Sequence, residues 1–459
     1  MEKIKYIKNK LKYHNIDGYI IPKNDEFFNE YVSPENDNLK YISNFSGSYG
    51  FALILKNKNF LFVDGRYIIQ AGKESGKNFK ILNLFDQSPS KVLKNNYKIG
   101  FNPKIFTRHM LNRLFNTRKT HLIPINESIV KKKIKTSNSK KKKIFSIDEK
   151  YCGKSYKKKI REQLNYLNKR NIDFKFISAP ENIAWLLNVR GDDSPYIPMA
   201  FGRLLINRKG KVIFFIKTEK ISKKILKKFK NIKFVDLENL NNVLINIKNK
   251  RIIIDKVNCS FFFESLLAKK NRILKEVDNI YQLKSIKNKT EIKNIKRIHV
   301  YDGVALTKFL IWVKKNYKKK NLTELSASKK LLSLRKKNHF FRSLSFPTIS
   351  ATGPNGAIIH YNPNFKTNRK LKKGDIFLID SGGQYLFGTT DVTRTISLDN
   401  NENKIKNIFT RVLKGHISVL NYKLNKKTKG YKVDQIARQY LKKINLDYPH
   451  GTGHGVGCY

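Results

Sequence analysis

One pattern occurs twice in this chain, and a duplicated unit constrains a fold more than any single segment does. In the first copy Ile7 and Leu11 share a helical face and lead through Asn15-Ile16-Asp17 into the apolar run Tyr19-Ile20-Ile21-Pro22. In the second, Ile160, Leu164 and Leu167 lead through Asn171-Ile172-Asp173 into Phe174-Lys175-Phe176-Ile177. Further on, Asn38-Leu39-Lys40-Tyr41-Ile42-Ser43-Asn44-Phe45-Ser46-Gly47 aligns by residue class, without a gap, on Asn182-Ile183-Ala184-Trp185-Leu186-Leu187-Asn188-Val189-Arg190-Gly191. A strand pair follows in each copy, 51–55 with 60–63 and 204–207 with 211–216, the latter around a turn at Lys209-Gly210. Each copy reads as a small α/β domain in which a helix feeds a sheet.

The chain has 459 residues, more than the roughly 250–300 at which a single core stops growing. Lysines alternating with Thr, Ser and Asn at 131–143, without apolar periodicity, read as a linker between the copies. A third segment opens with Asn288-Lys289-Thr290-Glu291, a helix start in which Asn covers the first amides and Glu reaches back. Ile292, Ile295, Val304, Phe309 and Leu310 supply its apolar stripe. Strands are expected at 347–350, 375–380 and 389–397, and helices at 405–420 and 431–444. The expected division is 1–144, 145–285 and 286–459, and the class is α+β, mixed α/β.

A formal net charge of +60 suggests an anionic partner at first sight. Recognition surfaces concentrate arginine forks, whereas here lysine is scattered with Asn and Ile along every segment. The expectation is therefore no specific nucleic acid. Cys152, Cys259 and Cys458 are odd in number and far apart, which disfavours a disulfide framework or a zinc finger. Residues 1–10 are charged and periodic, unlike an apolar leader. No apolar run approaches the roughly 20 residues of a membrane span. A cytoplasmic protein without a membrane partner is expected.

The chemistry-bearing residues lie in the third segment. Ile376-Phe377-Leu378-Ile379 is an apolar run that ends on Asp380, and Ser381-Gly382-Gly383 turns the chain before Asp391 in the next strand. A hairpin there lets the two carboxylates face each other. Their repulsion is relieved by a metal ion, and better by two. His450-Gly451-Thr452-Gly453-His454-Gly455-Val456-Gly457 sets two histidines among four glycines, which allow close backbone approach. His360 follows another loop-to-strand passage, Gly353-Pro354-Asn355-Gly356-Ala357-Ile358-Ile359. The remaining histidines, His14, His109, His121, His299, His339 and His416, sit in lysine-rich or helical settings and read as ordinary.

On these motifs the chain resembles the aminopeptidase P (Xaa-Pro aminopeptidase) branch of the creatinase, prolidase and methionine-aminopeptidase superfamily. Gly353 to Tyr361, Leu378-Ile379-Asp380-Ser381-Gly382-Gly383-Gln384-Tyr385, Gly388-Thr389-Thr390-Asp391-Val392-Thr393-Arg394-Thr395 and His450 to Tyr459 carry the likeness. Asp64-Gly65-Arg66-Tyr67 and Tyr301-Asp302-Gly303-Val304-Ala305-Leu306 add to it. The resemblance implies two creatinase-like N-terminal domains followed by a pita-bread catalytic domain, commonly in a homodimer. It implies two divalent metal ions, Mn2+ before Co2+, Zn2+ or Fe2+, with Asp380, Asp391 and His454 as ligands. His360 and His450 match catalytic, substrate-contacting histidines. The implied reaction releases the N-terminal residue of peptides with proline second, through attack of a metal-bridging hydroxide.

The family's two Glu ligands belong to a part beyond this last motif. Asp399, Glu402, Asp434 and Asp447, the acids after Asp391, match neither of them. The expectation is a pita-bread domain truncated at its C-terminus, active only if that part is supplied. Two alternatives stay open, a non-catalytic interaction module of the same fold and a prolidase-like dipeptidase.

Overall fold

The Asn-Ile-Asp triplets are helix stops, and both copies are built the same way. Helices Glu2–Tyr13 and Tyr156–Lys169 end at Asn15 and Asn171, whose φ values of 50° and 51° are left-handed. Asn tolerates that region better than other non-glycine residues. The following Ile16 and Ile172 return their N–H groups to the carbonyls of Leu11 and Leu167 at 3.0 and 2.9 Å and bury their side chains. Asp17 and Asp173 then accept the backbone N–H of Lys98 and Arg251, each 2.9 Å away, pinning the incoming strand to a parallel neighbour. The second pair of motifs matches as well: helices Asn38–Ser43 and Pro180–Leu187 both stop at a left-handed Asn, Asn44 and Asn188.

This computed structural model describes residues 2–93, 96–115, 119–127, 129–130, 143–319, 321–399 and 402–458. Most of the expected linker, 131–142, lies outside the described residues. Two compact units emerge, Met1–Asp64 with Ile68–Asn294, and Gly65–Tyr67 with Ile295–Tyr459.

The first unit holds two six-stranded sheets of identical plan. One runs Lys80–Asn83, Asn59–Val63, Phe51–Leu55, Gly18–Pro22, Tyr97–Phe101, Thr120–Pro124. The other runs Ile232–Val235, Val212–Ile216, Gly202–Asn207, Phe174–Ile177, Arg251–Asp255, Arg272–Glu276. In both, the third strand pairs antiparallel with its two neighbours and the remaining pairs are parallel. Strands buried on both faces read as unbroken apolar runs. Leu204 and Ile206 accordingly enter one core with Phe214, while Leu205 enters the opposite one with Phe215 and Ile252.

Helix Lys289–Asn316 starts as expected, with Asn288 and Glu291 exchanging bonds of 2.8 and 3.0 Å. Its buried face differs in part from expectation: Phe309 is buried as expected, but Ile292 and Val304 are 45% and 49% exposed, and Ile298, Ala305, Leu306 and Val313 point inward instead. Apolar residues occur all around this helix, so periodicity alone could not choose the face; the sheet beneath it does. In the second unit Ile349–Thr352, Ile376–Ser381 and Val392–Ser397 form an antiparallel sheet whose Phe377 and Ile379 meet Leu306, Phe309 and Leu331. A second small sheet joins Phe341–Leu344, Gly383–Tyr385 and Gly388–Thr389. Helices Asn403–Leu420 and Gly430–Lys442 pack on each other.

Candidate functional site

Strand Ile376–Ser381 sorts its side chains by alternation. Phe377, Ile379 and Ser381 are buried in one direction, and Leu378 and Asp380 lie half-buried in the other. Asp380 pairs across the sheet with Thr393. Asp391, two residues earlier, is therefore its diagonal neighbour on the same face. The expected hairpin is modified: Asp391 precedes strand Val392–Ser397, because a smaller hairpin through Gly383–Tyr385 and Gly388–Thr389 intervenes. Thr390, read as strand from its β-branching, closes that insert instead, accepting the Gly383 N–H on its hydroxyl at 2.9 Å and returning its own N–H to the Gly383 carbonyl at 2.9 Å. Gly382 has to be glycine here, since a Cβ would lie 1.9 Å from the Thr390 carbonyl oxygen.

Both carboxyls are held above their ordinary pKa. For Asp380 the cause is first burial, then the charge of Asp391, opposed by the Thr393 hydroxyl and by His454. Burial likewise raises Asp391, against the charges of His454 and His299. His299, read as ordinary, is thus an electrostatic neighbour of the site, with its Nδ1 at 2.8 Å from the Ile295 carbonyl. His454 places Nε2 3.5 Å from Asp391 Oδ2, its side chain otherwise largely exposed. Asp380 Oδ1 is buried without a hydrogen-bond partner among the described residues.

His360 sits at the end of an anchored loop. Glu324, fully buried at the start of helix Glu324–Arg335, accepts from the Thr352 N–H, the Asn355 amide, the Tyr361 hydroxyl and the Arg369 N–H at 2.8 to 3.1 Å. Burial and the adjoining Glu324 carboxylate push the Tyr361 phenol up to about 12. The His360 ring meets Tyr67, whose hydroxyl lies 2.6 Å from Nδ1. His450 is oriented by its own neighbourhood: Nδ1 lies 2.8 Å from the Gly451 carbonyl, and the Tyr448 ring is 4.6 Å away. Arg438 ties this segment down by donating to Asp447, the Tyr448 carbonyl and the His450 carbonyl. Asp380, Asp391 and His454 are thus neighbours.

Three of the later acids are engaged elsewhere. Asp399 pairs with Lys318 and accepts from Tyr317, and Asp434 and Asp447 pair with Arg438. Sequence reasoning assigned no role to Glu324 or Tyr67, nor to the buried pair of Asp302 and Arg335, although Tyr67 and Asp302 stand in motifs that it noted.

A Dictyostelium discoideum protein described as Xaa-Pro aminopeptidase 1 is 32% identical, over all of this chain and 77% of its own length. The chain belongs to the Xaa-Pro aminopeptidase family. A Laccaria bicolor protein described as a probable Xaa-Pro aminopeptidase P is 32% identical over all of this chain and 74% of its own. The family model for metallopeptidase family M24 matches residues 293–459, and creatinase/prolidase N-terminal domain models match 3–131 and 135–291. The crystal structure of X-prolyl aminopeptidase from Caenorhabditis elegans, described as a cytosolic enzyme with a di-nuclear active site, superposes with a TM-score of 0.91. It is 27% identical, over all of this chain and 79% of that one. The fold is therefore mixed α/β, with creatinase-type N-terminal domains before a pita-bread domain, and the chain is by resemblance a hydrolase of a metallopeptidase family. None of its described helices is long and apolar enough to cross a membrane.

Proposed function

We propose that this chain is a cytoplasmic aminopeptidase releasing the first residue of peptides with proline in second place, with Asp380, Asp391 and His454 holding divalent metal, Mn2+ first. The observation that carries the reading is the unpartnered Oδ1 of Asp380, buried beside a second carboxylate. Desolvating such a pair is costly unless a cation or donor meets it. Two carboxylates and an imidazole fit manganese in chemical kind. Divalent cations bound there supply Lewis acidity and make water more acidic.

The chain's own residues bind and orient. His360 and His450 donate hydrogen bonds to the scissile carbonyl oxygen as it gains charge, each worth about 3–4 kcal/mol. Their rings are held by Tyr67 in one case and by Tyr448 and Gly451 in the other. Proline in second place presents no N–H, so its ring is recognised by shape.

One further observation favours a second reading, in which this polypeptide alone holds metal weakly. Among the described residues no three His, Cys, Asp or Glu side chains are grouped closely enough to hold a cation. One experiment separates the two: titrate the protein with Mn2+ by calorimetry, then add an Arg-Pro-Pro peptide. Saturable Mn2+ binding with release of arginine, both lost in Asp380→Asn, supports the first reading. Arginine release that survives EDTA refutes it, and absence of both binding and release favours the second.

A further inference from the structure

We propose that Tyr67 is a positioning residue that fixes His360 in the tautomer whose Nε2 carries the proton. The inference rests on the role given to His360 above and adds how that role is secured. Tyr67 is 1% exposed, and its ring meets the His360 ring edge-on, with centroids 5.3 Å apart at 81°. Its hydroxyl lies 2.6 Å from Nδ1. Phenol is the stronger acid and imidazole nitrogen the stronger base, so the hydroxyl donates and Nδ1 accepts. In a neutral ring Nε2 then bears the hydrogen and can only donate, which is what an atom facing a developing oxyanion must do.

A second observation places the tripeptide Gly65–Tyr67 beside Pro449, the residue before the other histidine. Residues Gly65–Tyr67 belong to the compact unit that contains His360 and His450, although the residues on both sides of them do not. At Gly65 a Cβ would stand 2.4 Å from the carbonyl oxygen of Pro449, the residue before His450. Only glycine permits that approach without displacing Pro449. The motif Asp64-Gly65-Arg66-Tyr67 thus touches one histidine through a hydroxyl and the backbone next to the other through an absent side chain.

The test uses the full chain labelled with 15N-histidine, with His360→Gln assigning the signal of His360. The wild-type spectrum at neutral pH is expected to show the Nε2–H tautomer. Losing one hydrogen bond of ordinary strength in Tyr67→Phe is expected to shift the tautomer ratio about tenfold toward Nδ1–H. Where Arg-Pro-Pro is cleaved, kcat is expected to fall about tenfold with KM unchanged. A wild-type His360 in the Nδ1–H form, or a spectrum that Tyr67→Phe leaves unaltered, overturns the proposal. The spectrum needs no turnover, so failure to cleave the peptide refutes the proposed function while the tautomer is decided separately.

Discussion

Arg335→Met probes the buried pair that underlies the end of the strand carrying Asp380. The Arg335 and Asp302 side chains are 0% and 1% exposed, joined by Nε to Oδ1 at 2.7 Å and Nη2 to Oδ2 at 2.9 Å. Tyr385 donates to the same Oδ1 at 2.6 Å, and Arg335 reaches Ser381 Oγ at 3.0 Å. Removing the guanidinium strands a carboxylate in the core, a change that costs about 3–5 kcal/mol. For a unit of this size that lowers its melting temperature by about 6–20 °C. Asp302→Asn strands the cation instead, with a similar expected loss. The double variant should lose much less than the sum of the two, with a coupling of about 2–3 kcal/mol. The two tryptophans make the measurement specific, since Trp312 lies against the core of the second unit and Trp185 belongs to the first. In a Trp185→Phe background Trp312 fluorescence follows the second unit alone. Additive losses, or an Arg335→Met cost below about 1 kcal/mol, would show that the pair does not act as a unit.

Asp255, buried and raised to about 6 mainly by desolvation, binds its proton more tightly folded than unfolded. Its contribution to stability is therefore present below about pH 4 and lost as pH rises through 6, about 3 kcal/mol in all. Asp255→Asn should flatten that slope in urea denaturation followed by Trp185 fluorescence, and an unchanged slope would refute the assignment. Asn171→Ala is expected to cost about 1 kcal/mol because of its left-handed φ of 51°, whereas Asn171→Gly should cost only a few tenths; equal losses in chemical denaturation would contradict this. Because burial already disfavours the charged form of Asp380, Asp380→Asn should melt at or above the wild-type temperature without metal and lose any rise that Mn2+ produces. A lowered metal-free melting temperature would count against the reading of that carboxylate as a stability cost.

What could be read from the sequence was local in cause. The repeated Asn-Ile-Asp triplets were visible because a left-handed Asn and a buried Ile act within a few residues of each other, although the Asp that follows bonds a distant strand. Asp380 and Asp391 were visible for the same reason, one on a strand and the other just before its antiparallel neighbour. The reading failed where a side chain found its partner outside its own strand or helix. Thr390 was taken for strand because it is β-branched, yet its hydroxyl closes a turn. Glu324 stands in the first turn of a helix, an ordinary place for a solvated acid, and is buried only because the loop from Thr352 to Arg369 folds over it. Tyr67 and His360 are separated by 293 positions, so no spacing rule could join them. His299 was passed over because its helical setting says nothing about what the helix faces.

The buried acids of the second unit divide into two kinds, and the contrast supports the proposed site. Glu324 gathers donors from four residues, and Asp302 is met by a guanidinium and a phenol. Each is satisfied within the chain, as buried charges ordinarily are. Asp380 lies among equally well-determined surroundings: Ser381 is bonded by Arg335, and Gly382 is pressed against Thr390. These contacts fix the backbone that follows Asp380. A strand so firmly fixed holds an unfavourable carboxylate in place at the expense of stability contributed by its neighbours, which is the usual arrangement where binding rather than folding determines a residue. If Asp380 and Asp391 ionise together, a divalent cation would supply the balancing charge and their hard oxygen atoms suit one, which is the role proposed for this pair.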